Sequence, residues 1–188
     1  MKVKIIFGTA REGRKSEKIA RYVLKKAVEL GWDAELIDVR DYLLCHTHRW
    51  RITPEMERYR GKILEADALV IVAPEYNGSY PGELKILLDT IYDEYEGLPV
   101  GIITVSVVTG GTRLLQELRL ASVNYRMLPV AHVLFYNVED LFKDEEPGDE
   151  RYVERVERLF RTLEKYAKAL KQIREEVRRN LMEKKERL

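Results

Sequence analysis

Five short apolar runs punctuate the chain, separated by stretches in which apolar residues recur every three or four positions. Val3–Phe7 is rich in β-branched residues, as a buried parallel strand should be, Ala68–Val72 and Val100–Val105 also read as buried strands, and Val130–Tyr136 reads as a fifth. Ala34–Val39 alternates only in part, which places it nearer a sheet edge. Between the first two runs, Ile19, Val23, Ala27 and Leu30 predict a helix, with Ser16 as its N-cap and Gly31 at its end. Pro54 suits the first turn of a second helix reaching about Glu65, capped by Thr53. Further helices are predicted over Leu84–Tyr92 and Leu114–Asn124. A long one starts at Arg151, after the acidic connector 143–150. Along that last helix Leu159, Leu163, Tyr166, Leu170, Ile173 and Val177 alternate in steps of four and three, but charge dominates beyond Lys171. That pattern suits a surface helix, a coiled-coil-like seam or a frayed tail. Residues 40–53 read as a loop.

Strands alternating with helices imply an α/β fold, a doubly wound five-stranded parallel sheet. Right-handed crossovers make 2-1-3-4-5 its natural order. A length of 188 residues suits a single domain over 1–188, with 171–188 as a charged helical extension. The formal net charge of +1, with 35% charged residues balanced in sign, offers no attraction to nucleic acid or to a membrane surface. One cysteine, Cys45, allows no intramolecular disulfide. With neither a signal-peptide pattern nor a long apolar run, the expectation is a soluble, cytoplasmic protein.

Candidate chemistry gathers where strands run into helices. The stretch from Ala73 to Lys85 holds Pro74, Glu75, Tyr76, Asn77, Gly78, Ser79, Tyr80, Pro81 and Gly82: two prolines and two glycines around a carboxylate, two phenols, an amide and a hydroxyl. The first loop offers Gly8 for a tight turn, hydroxyls on Thr9 and Ser16, and forked donors on Arg11 and Arg14. It is neither a Gly-x-Gly-x-x-Gly nor a Gly-Lys-Ser/Thr loop. A third loop carries Thr109, Gly110, Gly111, Thr112 and Arg113. Each loop alone is also a reasonable connecting turn. Three of them after strands one, three and four surround one crevice, which favours a phosphorylated ligand. The cluster Cys45-His46-Thr47-His48 has too few companions for a metal site, since the remaining histidine, His132, falls inside a run read as buried. Trp32 and Trp50 read as packing or interface residues.

Taken together, Gly8-Thr9-Ala10-Arg11, Pro74-Glu75-Tyr76-Asn77-Gly78-Ser79-Tyr80-Pro81-Gly82-Glu83-Leu84-Lys85 and Gly110-Gly111-Thr112-Arg113 resemble the NAD(P)H-dependent FMN reductase family over roughly Lys2–Tyr136. The resemblance implies a flavodoxin-like fold and bound FMN. Thr9, Arg11 and Ser16 would hold the phosphate, with Arg14 sharing it. Pro74, Glu75, Tyr76, Asn77, Gly78 and Ser79 would line the ribityl chain and ring edge, and Thr109, Gly110 and Gly111 would lie beside the ring. Two departures stand out: Ser106-Val107-Val108-Thr109 replaces a glycine-containing turn, and Arg14 stands where a small residue is usual.

The implied reaction passes a hydride from NADH or NADPH to flavin, and electrons on to a small acceptor such as free flavin, a quinone, an azo compound or a metal ion. It requires no side-chain acid or nucleophile. A homodimer or homotetramer is expected by the same resemblance. An FMN-binding electron carrier reduced by a protein partner, and a non-catalytic flavodoxin-like binding module, are the alternatives.

Overall fold

The computed structural model describes residues 1–42, 52–107, 109–142 and 144–186. Five parallel strands, β1 (Lys2–Phe7), β2 (Asp33–Asp38), β3 (Ala68–Pro74), β4 (Pro99–Ser106) and β5 (Leu128–Tyr136), form one sheet in the order β2-β1-β3-β4-β5. β1 lies inside the sheet, pairing Ile5 with Leu36 on one side and with Val70 on the other. Cys45, His46, His48 and Trp50 lie outside the described residues.

Alternate strand residues face opposite layers, so the continuous apolar runs supply two cores at once. Ile6, Ile71 and Ile102 pack under α2 (Pro54–Glu65), α3 (Gly82–Leu88) and α4 (Thr112–Asn124), meeting Tyr59, Ile63, Leu84 and Leu118. Ile5, Val70 and Ile103 pack under α1 (Glu17–Glu29) and α6 (Glu150–Ala169), meeting Ile19, Val23, Phe160 and Leu163. Each such fully buried aliphatic side chain contributes about 1.5–3 kcal/mol. Gly101 admits α6 to the sheet: a Cβ there would lie 2.9 Å from Leu159 Cδ2. Trp32 packs on Phe160, ring centroids 5.0 Å apart.

Several local expectations change. Thr53 does cap α2, its hydroxyl accepting from Met56 N at 3.3 Å with Pro54 at the first position. Ser16, by contrast, is helical in backbone and makes no capping hydrogen bond. The helix expected to reach Tyr92 stops at Leu88. There the Thr90 hydroxyl donates to Leu87 O at 2.7 Å and the Asp89 carboxylate accepts from Lys85 and Tyr125, so side chains take over from the helical ladder. His132 is exposed, because β5 is an edge strand rather than a buried one. Short elements follow at Val39–Tyr42, Asp93–Tyr95 and α5 (Val138–Leu141).

The long final helix is two helices broken at Leu170, and the second, α7 (Lys171–Glu186), is anchored. Arg174 is 2% exposed; its Nη1 donates to Glu94 O (2.8 Å) and Glu96 O (2.7 Å), and its Nη2 to Ile63 O (3.1 Å). Arg178 Nε donates to Leu64 O (2.7 Å), and its Nη2 to Ala66 O (2.9 Å) and Asp67 Oδ1 (2.9 Å). At the end of α2, Ile63 O, which also accepts from the Ala66 amide at 3.2 Å, and the carbonyls of Leu64 and Glu65 bond to two guanidinium groups of a distant helix.

Arg174→Ala should therefore lower stability by about 3 kcal/mol, since it strands buried carbonyls and leaves a cavity. Urea unfolding monitored by circular dichroism measures this, and a loss below about 1 kcal/mol would show that α7 is not held by this contact.

Candidate functional site

Parallel strands all deliver their following loops to one edge, and four of those loops enclose a cleft of about 450 Å³. The loop after β1 contributes Arg11 to Ser16. The loop after β3 contributes Pro74, Glu75 and Tyr76, and the end of β4 contributes Val105, Ser106 and Val107. Asn137, Val138 and Glu139, after β5, close it. A second, more open cleft of about 690 Å³ shares Arg11, Glu75 and Tyr76 with the first and adds Ala10, Asn77 and Glu83.

Carboxylates tie the loops together. Glu83, in the first turn of α3, accepts from Ala10 N at 2.7 Å and from Thr9 Oγ1 at 3.2 Å. The Thr9 hydroxyl also lies 3.1 Å from Tyr76 Oη, and Thr9 is fully buried. Thr9 therefore joins the first loop to the third strand's loop and lines neither cleft. Gly8 has a reason other than a tight turn: a Cβ there would stand 2.7 Å from Leu84 Cδ2, so glycine lets the loop lie against α3. Glu75 reaches the other way, 3.4 Å from Thr109 Oγ1 and from the amide of Leu114. Its own amide donates to Val105 O at 2.8 Å.

Tyr76 and Ser79 exchange backbone hydrogen bonds of 2.9 and 3.0 Å around Asn77 (φ 51°) and Gly78 (φ 83°). Positive φ at both central residues makes this a tight primed turn, for which Asn-Gly is the favoured pair. Asn77 lines the second cleft, while Gly78 and Ser79 shape the turn. Gly110 and Gly111 stand behind the site. Both have positive φ, and a Cβ on Gly110 would meet the Tyr136 ring at 2.5 Å, one on Gly111 the Thr104 side chain at 2.6 Å. The Thr104 hydroxyl donates to Gly110 O at 2.7 Å. Val107 projects into solvent at the cleft mouth, 70% exposed. Its neighbour Val108 lies outside the described residues.

The two arginines of the first loop have different surroundings. Arg14 lies over the Phe7 ring and is paired with Asp38 and with Glu17, and its Nη1 donates to Thr9 O at 2.8 Å. Its donors are committed within the protein. Arg11 rests over the Tyr76 ring at 5.6 Å and has no carboxylate partner among the described residues. The amides of residues 12–16 likewise donate to no acceptor among the described residues, and Gly13 is left-handed (φ 62°). The Ser16 hydroxyl, in a residue 2% exposed, makes no cap. A concave run of free amides, an uncommitted hydroxyl and an unpaired guanidinium fits a phosphate. The apolar walls Val105 and Val138 suit a flat ring system attached to it.

Sequence reasoning missed Asn137, Val138 and Glu139, and named Ser106 and Val107 only as a departure from the family pattern. The rule that ligands meet the carboxyl ends of all strands would have included the loop after β5.

Comparison with known proteins gives consistent relatives. The family model described as NADPH-dependent FMN reductase matches residues 1–140. An NAD(P)H-dependent FMN reductase of Schizosaccharomyces pombe is 33% identical over 120 residues, 58% of this chain and 60% of that protein. An FMN-dependent NADPH-azoreductase of Staphylococcus haemolyticus is 32% identical over 111 residues, 55% and 59% of the two chains. The match thus spans about three fifths of these relatives' length. Among solved structures, the flavoenzyme NAD(P)H:(acceptor) oxidoreductase FerB of Paracoccus denitrificans superposes with a TM-score of 0.70 at 21% identity, covering 91% of this chain and 97% of that one. A flavodoxin of Pseudomonas aeruginosa gives 0.57 at 18% identity, covering 91% and 99%. These two share the fold.

The Arg14–Asp38 pair makes the floor of the cleft sensitive to acid. Burial by itself would raise the Asp38 carboxyl, but the donors of Arg14 and the Arg40 amide outweigh it and hold it below the ordinary 3.8. A depressed folded-state value stabilises the fold above the ordinary value, and that stabilisation is lost as pH falls through the folded one. Asp38→Asn should lower stability at pH 7 by about 2 kcal/mol and flatten the acid limb of the stability curve. Denaturant titrations from pH 7 to pH 3 test this, and an unchanged acid limb would show that the pair contributes nothing to acid sensitivity.

Proposed function

The chain belongs to the NADPH-dependent FMN reductase family, and on that premise we propose that it holds FMN in the cleft at the carboxyl edge of the sheet and oxidises NAD(P)H for a small-molecule electron acceptor. The observation that carries the reading is the set of uncommitted donors in the first loop: the amides of 12–16, the Ser16 hydroxyl and the unpaired Arg11, beside an apolar-walled cleft.

FMN, when bound, supplies the hydride-accepting and electron-releasing chemistry. The residues of this chain supply position and environment. Arg11 and Ser16 would bind the phosphate, and Arg14 would brace the loop through Asp38 in place of donating to it. Pro74, Glu75, Tyr76 and the Asn77–Gly78 turn would flank the ribityl chain and the ring edge. Val105 and Val138 would exclude water from it. Glu75 and Thr109 would fix the wall on the α4 side, with Gly110 and Gly111 letting that wall approach.

Relatives named for FMN reduction and for azo reduction support a small, oxidised acceptor: free flavin, a quinone, an azo compound or a metal ion. Residues 1–188 are proposed to act as one cytoplasmic domain, assembled as a homodimer or homotetramer. No helix among the described residues is long and apolar enough to cross a membrane.

The test is an anaerobic absorbance titration of FMN-reconstituted protein with NADH and then NADPH. Bleaching of the flavin band faster than for free FMN supports a reductase. Bound flavin that stays oxidised would point to an electron carrier, and flavin that never binds would refute the reading. Arg11→Ala should weaken FMN about 10- to 100-fold while leaving the far-ultraviolet spectrum unchanged, because a charge-assisted phosphate contact is lost from an exposed position. Fluorescence titration of FMN measures it, and an unchanged dissociation constant removes Arg11 from the phosphate site.

A further inference from the structure

A loop binds an anion through its backbone only if its amides point at the ligand and its carbonyls, the negative ends of the same dipoles, point away. In the first loop that sorting is imposed by side chains from other elements. The carbonyls of three consecutive residues are taken by arginines. Arg14 Nη1 donates to Thr9 O at 2.8 Å, and Arg40, in the short helix Val39–Tyr42, donates through Nε to Ala10 O (3.2 Å) and through Nη2 to Arg11 O (2.6 Å). Asp38 steadies both arginines, accepting from the Arg14 guanidinium at 2.7 Å and from the Arg40 amide at 3.0 Å. Two amides of the same stretch are also taken. Glu83 Oε1 accepts from Ala10 N at 2.7 Å and from the Thr9 hydroxyl at 3.2 Å, and Thr9 Oγ1 accepts from Arg11 N at 3.3 Å.

Each of the three peptide groups after Thr9, Ala10 and Arg11 therefore carries at least one of these bonds, so none can flip without breaking one. In a trans peptide the C=O and N–H point opposite ways. Holding Arg11 O on the Arg40 side thus turns the amide of Glu12, the first of the free amides, to the other side. Glu12 lines the first cleft and Arg40 does not.

Glu83 is the unexpected member of this arrangement. It is a carboxylate from the first turn of α3, 73 residues from Ala10, bonded to a loop that otherwise suits an anion. Its charge repels a phosphate, while its hydrogen bonds hold the loop in shape, so the two effects have opposite signs. Glu83 shares the second cleft with Arg11, whose charge offsets its own toward an incoming anion.

We propose that Glu83 and Arg40 are positioning residues for the FMN phosphate, Glu83 fixing the amide side of residues 9–11 and Arg40 the carbonyl side. The order they impose outweighs the repulsion from Glu83, because a loop already in its binding shape loses little freedom when the phosphate arrives. The inference rests on the reading that FMN occupies the cleft.

The experiment titrates the full chain and its variants with FMN and with riboflavin, which has the same ring and ribityl chain and no phosphate, following flavin fluorescence. In Glu83→Ala, FMN should weaken about 10-fold while riboflavin changes less than about twofold. In Glu83→Gln, whose amide oxygen accepts the same two bonds without the charge, FMN should bind within about twofold of the parent or tighter. Arg40→Lys keeps the charge and loses the planar fork, and FMN should weaken at least about threefold. Unchanged or tighter FMN binding in Glu83→Ala would overturn the proposal, since charge would then outweigh order. Equal losses of FMN and riboflavin would overturn it as a general structural effect, and glutamine no better than alanine would remove its hydrogen-bonding basis. Parent-like FMN affinity in Arg40→Lys would overturn the carbonyl side. All of these leave FMN binding by the parent intact. A parent chain that binds riboflavin as tightly as FMN would instead overturn the phosphate site itself, and this inference with it.

Discussion

Every strand in this sheet runs the same way, and most of the architecture is forced by that. A parallel ladder cannot be closed by a hairpin, so each strand must be followed by a crossover that returns to the opposite edge. The crossovers of one hand lay α2, α3 and α4 on one face and α1 and α6 on the other. All strand ends then deliver their loops to one rim. The cleft exists because of the direction of the backbone, and its chemistry is whatever those loops carry.

Loops of that kind need bracing, since they lack the continuous ladder of the sheet. Here the bracing is ionic and hydrogen-bonded in place of apolar. Glu83 pins the first loop to α3, Glu75 joins the third strand's loop to α4, and Asp38 holds Arg14 from the end of β2. Three carboxylates thus brace the rim of the cleft, each linking a loop to an element distant in the chain. Residues that resemble ligand contacts in a linear reading, Thr9 and Arg14 among them, become part of this framework. Among the groups that face the cleft, Arg11, the Ser16 hydroxyl and the amides of 12–16 are left uncommitted.

The strands and their order were legible because β-branched runs and right-handed crossovers leave little choice, and Thr53-Pro54 announced its helix through local chemistry alone. The glycine- and proline-bearing loops after β1, β3 and β4 were legible for the same local reason. What stayed hidden depends on partners far away in the chain. Nothing near Arg14 reveals Asp38, twenty-four residues on. Nothing near Gly8 reveals Leu84. The fourth wall of the cleft, Asn137 to Glu139, has ordinary residues and no glycine to mark it, although Asn137 adopts φ 41°. The charged run after Lys171 hid its anchoring because arginines satisfying carbonyls look like surface charge until the carbonyls are placed.

The seat of Arg174 and Arg178 on the end of α2 also sets an order of events. These bonds join positions more than one hundred residues apart, so during synthesis the end of α2 waits, its carbonyls bare, while the rest of the sheet is made. The closing contact can form only after every strand of the sheet has been made. Its long chain separation makes it entropically demanding to form, and the end of α2 stays open to solvent until the two arginines arrive.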